Sequence, residues 1–331
     1  MSAFYRMIRF CCLFASIFIS LCCTGLCIAA EQKKTLLLYH SGLDNFDSTY
    51  MISLLAELEK KLTNHKIKIV NTRDSNIAQL KSQLEESKSC VLTIGQHALE
   101  SILATRDKTP IFSTLVSRTN LDSLASSYAR LGSRVTGIYE EQSFDRQLLL
   151  SQVINPENKN IVVILGWKTR YYLDNYRITT EKRTLNLFYD ILKHQESPQQ
   201  SLSRLSMDSG FLIILNEQQH YSDQDLQSLL ISSHKQKIPM IGSKASNSKT
   251  AALASVYTPV ETLAKETASG LQQTCDKNKV PTAKYGVNYA VTINRQIAKS
   301  LKYDSINENK LAEGILKLEK ATQKQTGKHE L

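Results

Sequence analysis

Short apolar runs alternate with helical patterns along nearly the whole chain. "TLLLYH" (35–40) reads as a strand, and residues 48–62 read as a helix with Met51, Leu54, Leu55, Leu58 and Leu62 on one face. "KIKIVNT" (66–72) predicts the next strand and "NIAQLKSQLEES" (76–87) the next helix. "CVLTIG" (90–95) and "PIFSTLVS" (110–117) flank another helical stretch, and "RVTGIYE" (134–140) is a further strand. A second series begins after a helix at 143–155. Its strands are "NIVVILGW" (160–167), "TLNLFYDIL" (184–192), "GFLIILN" (210–216), "IPMIGS" (238–243) and "AALASVY" (251–257). Helices are expected between them at 168–183, up to about 206, and at 223–236. "GFLIILN" is almost entirely apolar, as a strand covered on both faces must be. Repeated strand–helix order with buried strands predicts parallel sheets, and two series predict two doubly wound α/β lobes.

The pattern then changes. "TPVE" places Thr258 at an N-cap, Pro259 at the first helical position and Glu261 three residues after the cap, a capping box. Val260, Leu263, Ala264, Ala268 and Leu271 form the apolar stripe of the helix that follows. "DKNKVPTAKYG" (276–286) reads as a loop, "NYAVTINRQIAKSLKY" as a strand and a short helix, and 305–331 as a Lys/Glu-rich helix with a disordered end. There is no internal repeat and no long flexible linker, so the lobes are expected to be joined by several short crossovers.

The beginning of the chain follows a different logic. Residues 1–30 read as an export signal: Arg6 and Arg9, then the uncharged "CCLFASIFISLCCTGLCIAA", then small residues and a polar "EQKK". Cleavage is expected near Ala30, with a retained anchor as the alternative. Cys22, Cys23 and Cys27 follow Leu21, Cys22 and Leu26, not the small residue that precedes a lipid-modified cysteine. The expected location is therefore the periplasm. Without the signal, 39 basic and 31 acidic residues remain, a formal charge of +8. The basic residues are dispersed, without the clustered, aromatic-interleaved patch of a nucleic-acid binder. Five of the seven cysteines lie in the signal; Cys90 opens an apolar strand and Cys275 ends a helix. They read as two separate thiols, with a disulfide as the alternative. The remaining length exceeds what one hydrophobic core usually supports, which again favours two domains.

Motifs of catalysis are absent. The chain has no G-x-S-x-G elbow, no H-E-x-x-H and no phosphate-binding G-x-x-x-x-G-K-[ST] loop. "TIGQHALES" has one glycine where a dinucleotide fingerprint needs three, no histidines pair at i, i+4, and no cysteines have metal-ligand spacing. The pairs Glu85–Glu86 and Glu140–Glu141 read as solvated faces. No enzyme activity, cofactor or metal is expected.

Open α/β sheets bind ligands beyond the carboxyl ends of their strands. In the first series that rule selects Ser41, Gly42, Arg73, Gly95, Gln96, His97, Ser117, Arg118, Tyr139 and Glu140. In the second it selects Trp167, Lys168, Arg170, Glu217, Gln218, Ser243 and Lys244. Gly95 permits a tight turn before a helix whose first N–H groups can receive an anion. Trp167 offers a ring for stacking, or covers a strand end. Arg118 and Arg170 offer bidentate grips for a carboxylate, or sit at the surface. His220 and Tyr221 read as exposed loop residues.

Four stretches in this order carry a resemblance: "GQHALESILATRDKTPIFSTLVS", "TGIYEEQSFDRQLLLSQVINPENKNIVVI", "KIPMIGSKASNSKTAALASVYTPVETLAKETASGLQ" and "VTINRQIAKSLKY". Together they resemble the substrate-binding proteins of ABC transporters, in the family that includes tryptophan- and tyrosine-type binders, over residues 35–303. The resemblance implies the type I periplasmic binding fold, with lobes joined at a hinge and a ligand in the cleft between them. It divides the chain into residues 31–141 plus 256–279 and residues 142–255 plus 280–331. It implies a small-molecule ligand, an inner-membrane permease as partner, and a monomer. It also turns Gly95, Gln96 and His97 toward the cleft. The ligand turns depart from the family: Gly-Thr-Pro is replaced by Gly95-Gln96-His97, an Asn-rich turn by "GWKTRYYLDN", and Asp-Asn by "NEQQHY". The resemblance therefore implies fold and cleft without aromatic amino-acid specificity. A sensor or protein-interaction module with a degenerate cleft is the second expectation.

Overall fold

The structure is a computed structural model. It describes residues 34–41, 48–87, 90–132, 134–205, 210–217, 221–276 and 280–326. The stretch expected to be an export signal, Gly42, Gln218, His220 and the end of the tail lie outside the described residues.

The first sheet has the order β2-β1-β3-β4-β5, all neighbours parallel. Its strands are β1 (Lys34–His40), β2 (His65–Asn71), β3 (Val91–Ile94), β4 (Ile111–Val116) and β5 (Val135–Tyr139). The intervening helices are α1 (Ser48–Lys61), α2 (Ile77–Ser87), α3 (Gln96–Ala104) and α4 (Arg118–Ala129). Successive side chains of β1 enter opposite layers. Leu36 and Leu38 pack with Leu54 and Leu58 of α1, whereas Leu37 and Tyr39 pack with Leu80 of α2 and Leu99 of α3. Helices on both faces explain why the strand reads as a continuous apolar run. β4 carries a bulge: Leu115 sits at φ 57° and the register with β5 slips between Thr114 and Val116. Bulges of this kind re-aim the residues that follow, here Ser117 and Arg118.

The second sheet has the order β11-β10-β9-β8-β6-β7. Its strands are β6 (Asn160–Leu165), β7 (Asn186–Ile191), β8 (Phe211–Ile213), β9 (Met240–Gly242), β10 (Ala254–Tyr257) and β11 (Ala290–Ile293). Around it lie α5 (Phe144–Ile154), α6 (Leu173–Lys182), α7 (Pro198–Arg204), α8 (Asp223–Lys235) and α9 (Ala245–Thr250). The expected helix over 168–183 is instead a 3-10 turn, Thr169–Tyr172, followed by α6. Every pairing is parallel except β10–β11, which is antiparallel. β11 departs from the parallel expectation because the helix that separates it from β10 in sequence, residues 260–271, packs on the first sheet, and the chain returns through loop 280–289 to run back against β10. Tyr221, expected to be exposed, is buried, and its hydroxyl donates to the Ile164 carbonyl at 2.8 Å.

Two helices complete the fold. α10 (Val260–Leu271) lies on the first sheet, where Leu263, Ala264, Ala268 and Leu271 join the core that contains α1. The capping box does not form. Pro259 is the N-cap without a side-chain bond, and the Thr258 hydroxyl accepts instead from Gln142 Nε2 at 2.6 Å. Cys275, just beyond α10, forms a disulfide with Cys90, with Cα atoms 5.0 Å apart. The expectation of separate thiols is thereby corrected: α10 returns its C-terminal end to the start of β3. After α11 (Arg295–Ser300), the last helix, α12 (Glu308–Thr326), buries Leu311 and Ile315 in the second core. Arg146–Glu319 (2.8 Å) and Arg183–Asp145 (2.6 Å) flank it, and Arg183 also donates to Thr322 at 2.6 Å.

Three chain crossings between the sheets meet at Gln142, which is 1% exposed. Its amide nitrogen donates to Thr258 Oγ1 and, at 3.2 Å, to the Gly286 carbonyl. Its backbone N–H donates to the Ser243 carbonyl at 3.0 Å. Arg146 Nη1 bridges Gln142 Oε1 (2.7 Å) and the Gly286 carbonyl (2.6 Å). A Cβ on Gly286 would lie 2.4 Å from Thr258 Oγ1, so only glycine allows this approach. One residue from each crossing thus shares a single buried polar knot, the arrangement expected of a joint that keeps two rigid bodies in register.

Candidate functional site

The carboxyl ends of the two sheets supply side chains to a common seam. Gly95 makes the turn after β3 at φ 85° and donates its N–H to the Thr114 carbonyl at 2.9 Å, which starts α3 beside the end of β4. Ser117 caps α4 by accepting the Asn120 N–H at 3.3 Å. That cap sets Arg118 and Asp122 one turn apart on the same helix face. Arg118 Nε donates to Asp122 Oδ2 at 3.3 Å, and its Nη1 donates to the Tyr285 hydroxyl at 3.2 Å. Its guanidinium also covers the ring of Tyr172, from the other lobe, at 4.5 Å. Asp122 accepts the hydroxyls of Tyr139 at 2.7 Å and Tyr172 at 3.3 Å. Tyr139 and Tyr285 meet edge to face at 4.9 Å. Burial pushes the Tyr172 hydroxyl up to about 12, with the Asp122 charge adding to the effect. Burial likewise raises Tyr139 and Tyr285. All three phenols therefore stay neutral: those of Tyr139 and Tyr172 donate to Asp122, and that of Tyr285 accepts from Arg118. The result is one cation and one anion within a wall of aromatic rings.

Two further groups tie the lobes together. Lys168 Nζ donates to Asn120 Oδ1 at 2.5 Å, Asn120 donates to Gln96, and Gln96 donates to Glu100 at 2.7 Å. On the side of the knot, Asn216 Nδ2 donates to Glu140 at 2.9 Å and to Glu141 at 3.0 Å, and Lys244 Nζ lies 3.3 Å from Glu140. Glu141, read from the sequence as solvated, is buried and accepts the Arg118 N–H at 3.0 Å. Burial pushes its carboxyl up to about 7; the bonds from Asn216 and the Arg118 N–H pull the other way, and the Glu140 charge adds to the rise.

The seam thus gathers Gln96, Arg118, Tyr139, Glu140, Lys168 and Lys244 from the sequence-derived set. Ser117 and Gly95 shape it from beneath, and Ser243 contributes its carbonyl to the crossing. Glu217 supports the turn that carries Lys168: its buried carboxylate accepts the N–H groups of Lys168 (2.7 Å) and Thr169 (3.1 Å) and the Thr169 hydroxyl (2.7 Å). Ser41 is buried at the end of β1, and Arg73 is exposed in the turn after β2. His97 is 60% exposed and lies 3.4 Å from Glu100 on its own helix. Trp167 and Arg170 separate from the seam. They stack on each other at 3.8 Å in the wall of an outward depression of about 670 Å³, closed on its other side by residues 192–197.

Sequence reasoning missed Asn120, Asp122, Glu141, Tyr172, Asn216 and Tyr285. Asp122 had a signal: it stands four residues after Arg118, once a helix is placed over 118–129. Tyr285 had none, because it arrives through Lys284, which bonds along the free edge of β5 (Tyr139 N–H to Lys284 carbonyl, 2.9 Å). Among the described residues no cluster of His, Cys, Asp and Glu is arranged to hold a metal, and no helix is long and apolar enough to cross a membrane.

A family model described as ABC transporter substrate binding protein matches residues 35–314. No curated protein matches the chain. A ligand-free, open structure of a substrate binding protein with adhesive properties from Clostridium difficile is 16% identical, covering 83% of this chain and 96% of its own, with a TM-score of 0.63. A conserved domain protein from Vibrio cholerae, also 16% identical, covers 85% and 98% with a TM-score of 0.57. An ABC domain from Streptococcus pneumonia in complex with L-Trp is 15% identical and covers 82% and 95% with a TM-score of 0.55. At these identities the likeness is one of fold: two parallel-dominated sheets in the type I periplasmic binding arrangement.

Proposed function

The chain belongs to the ABC transporter substrate-binding protein family, and on that premise we propose that it is the exported solute-binding component of an importer. It takes a small amino-acid-like solute between the lobe built on the first sheet and the lobe built on the second, which exchange chain near residues 142, 258 and 286. It acts by binding alone, as a monomer in the periplasm, and hands the solute to an inner-membrane permease. The observation that carries this reading is the Arg118–Asp122 pair, walled by Tyr139, Tyr172 and Tyr285. A guanidinium is the natural grip for a carboxylate, an aspartate for an ammonium, and ring faces for either a cation or an apolar side chain. A zwitterion exchanges one internal ion pair for two of the same kind, so neither half-buried charge is left unpartnered. Tyr172 comes from the lobe opposite Arg118, so the ligand touches both lobes, the condition for binding to drive hinge closure.

Calorimetric titration with single amino acids, small peptides and organic anions tests the reading. One zwitterionic ligand should bind, and Arg118→Ala should weaken it by about 2–5 kcal/mol, the cost of leaving its partner charge unpaired. Silence across the panel, with nothing co-purifying by native mass spectrometry, would overturn it. The second reading, a sensor or interaction module, is favoured by the mutual satisfaction of the seam: Lys168 with Asn120, Tyr172 with Asp122, and Asn216 with Glu140 and Glu141 all bond across it.

A further inference from the structure

The turn after β6 sends its side chains in two directions. Lys168 and Tyr172 reach the opposite lobe, whereas Trp167 and Arg170 line the outward depression of about 670 Å³. Trp167 is 57% exposed although it is the largest apolar side chain available to the core. Its ring is held by the Arg170 guanidinium at 3.8 Å, and Tyr171 closes the stack edge-on at 6.4 Å. Opposite lie Lys193 and His194, both exposed.

The two carboxylates in this wall are already engaged. Glu196 pairs with Arg204 and accepts the Lys193 N–H at 3.0 Å. Asp225 accepts the hydroxyl of Ser222 at 2.6 Å in the capping box of α8. Among the described residues, no carboxylate forms an ion pair with Arg170, Lys193 or His194. The depression therefore presents the Arg170 guanidinium, the Lys193 ammonium, the His194 imidazole and an indole edge, with its acidic groups engaged from behind. A cation that already rests on an aromatic face is oriented to add a hydrogen-bonded anion at its rim.

We propose that this depression is a second binding site, separate from the interlobe seam, for a small anion that carries a ring, either a carboxylated sugar or an aromatic acid. The ring lies along Trp167 and the carboxylate meets Arg170 and Lys193. The inference does not depend on the proposed function, because none of these side chains takes part in the seam contacts.

Trp167 is the only tryptophan in the chain, so its emission reports on this depression directly. The purified protein is titrated with glucuronate and with benzoate, and with glucose and acetate as the ring-only and anion-only controls. A saturable change with glucuronate assigns the sugar-acid class, and one with benzoate the aromatic-acid class. Either control should bind at least roughly tenfold more weakly, since each lacks one of the two contacts. Arg170→Ala and Lys193→Ala should each raise the dissociation constant about tenfold, with Arg118→Ala unchanged. The proposal fails if neither ring acid produces a saturable change, or if glucose or acetate binds as well as they do. It fails equally if Arg118→Ala abolishes the response while Arg170→Ala and Lys193→Ala leave it intact, since the anion would then sit in the seam.

Discussion

Glu141 is the residue whose surroundings depart furthest from what its neighbours in sequence suggest. It stands beside Glu140, yet it is buried against the Arg118 N–H and the Asn216 amide. Desolvation outweighs those bonds and raises its carboxyl to about 7. A carboxyl with a raised folded-state value holds its proton where the unfolded chain has already lost it. Its contribution to stability is therefore fully present below about pH 4.5 and is lost as pH rises through about 7. The difference amounts to at most about 3 kcal/mol. Urea unfolding at pH 5 and pH 8 measures it: the wild type should lose about 2–3 kcal/mol between the two, and Glu141→Gln should lose distinctly less. Equal slopes would mean that Glu141 is hydrated in the folded protein. Nothing local signals this burial, because it involves Asn216, 75 residues away, reaching across from the other lobe.

At the scale of elements, the strands were readable and their long-range partners were not. "TLLLYH" and "NIVVILGW" announce themselves because helices cover both faces of β1 and β6, so nearly every position is apolar. Thr258 shows where a local rule fails. "TPVE" satisfies every requirement of a capping box, but the Thr258 hydroxyl accepts from Gln142, a partner that only the crossing of two chain segments provides. The cysteines show the same limit. Cys90 and Cys275 are 185 residues apart in sequence, and nothing local tells that α10 returns to the start of β3. The candidate site was half visible for the same reason: strand ends located Arg118 and Lys168, whereas Tyr172 and Tyr285 come from a 3-10 turn and an edge bridge that carry no periodic signal. The disulfide closes a very long loop, and removing it should cost about 2–4 kcal/mol, largely through the freedom returned to the unfolded chain. Denaturant unfolding with and without dithiothreitol checks this. Reductant should destabilise the wild type and leave Cys90→Ser/Cys275→Ser unaffected. A wild type indifferent to reductant would show that α10 is held by its apolar stripe alone.

The whole molecule is two rigid sheets joined by one buried polar knot and touching along a polar seam, and the two connections differ in kind. The knot at Gln142, Thr258 and Gly286 is buried, and the Arg146 guanidinium bonds into it. Its bonds exclude water and should persist through any hinge motion. The seam contacts of Lys168 and Tyr172 are only half-buried, so opening trades them for water at small net cost, about 1 kcal/mol for each hydrogen bond. A binding protein needs this asymmetry, because a seam as strong as its joint would leave a ligand no equilibrium to shift. Lys168→Ala combined with Tyr172→Ala should therefore move the ratio of separated to apposed lobes by roughly tenfold or more. Small-angle X-ray scattering should show a larger radius of gyration for the double variant, with only a modest loss of thermal stability, since Lys168 lies outside the cores and Tyr172 packs at the margin of the second one. Gln142→Ala makes the contrast. It should lower stability by about 1–3 kcal/mol, since it leaves buried polar groups of the knot without their partner. If the seam variant left the scattering curve unchanged, the knot would fix the lobe arrangement by itself, and Lys168 and Tyr172 would be available to a ligand without any domain movement.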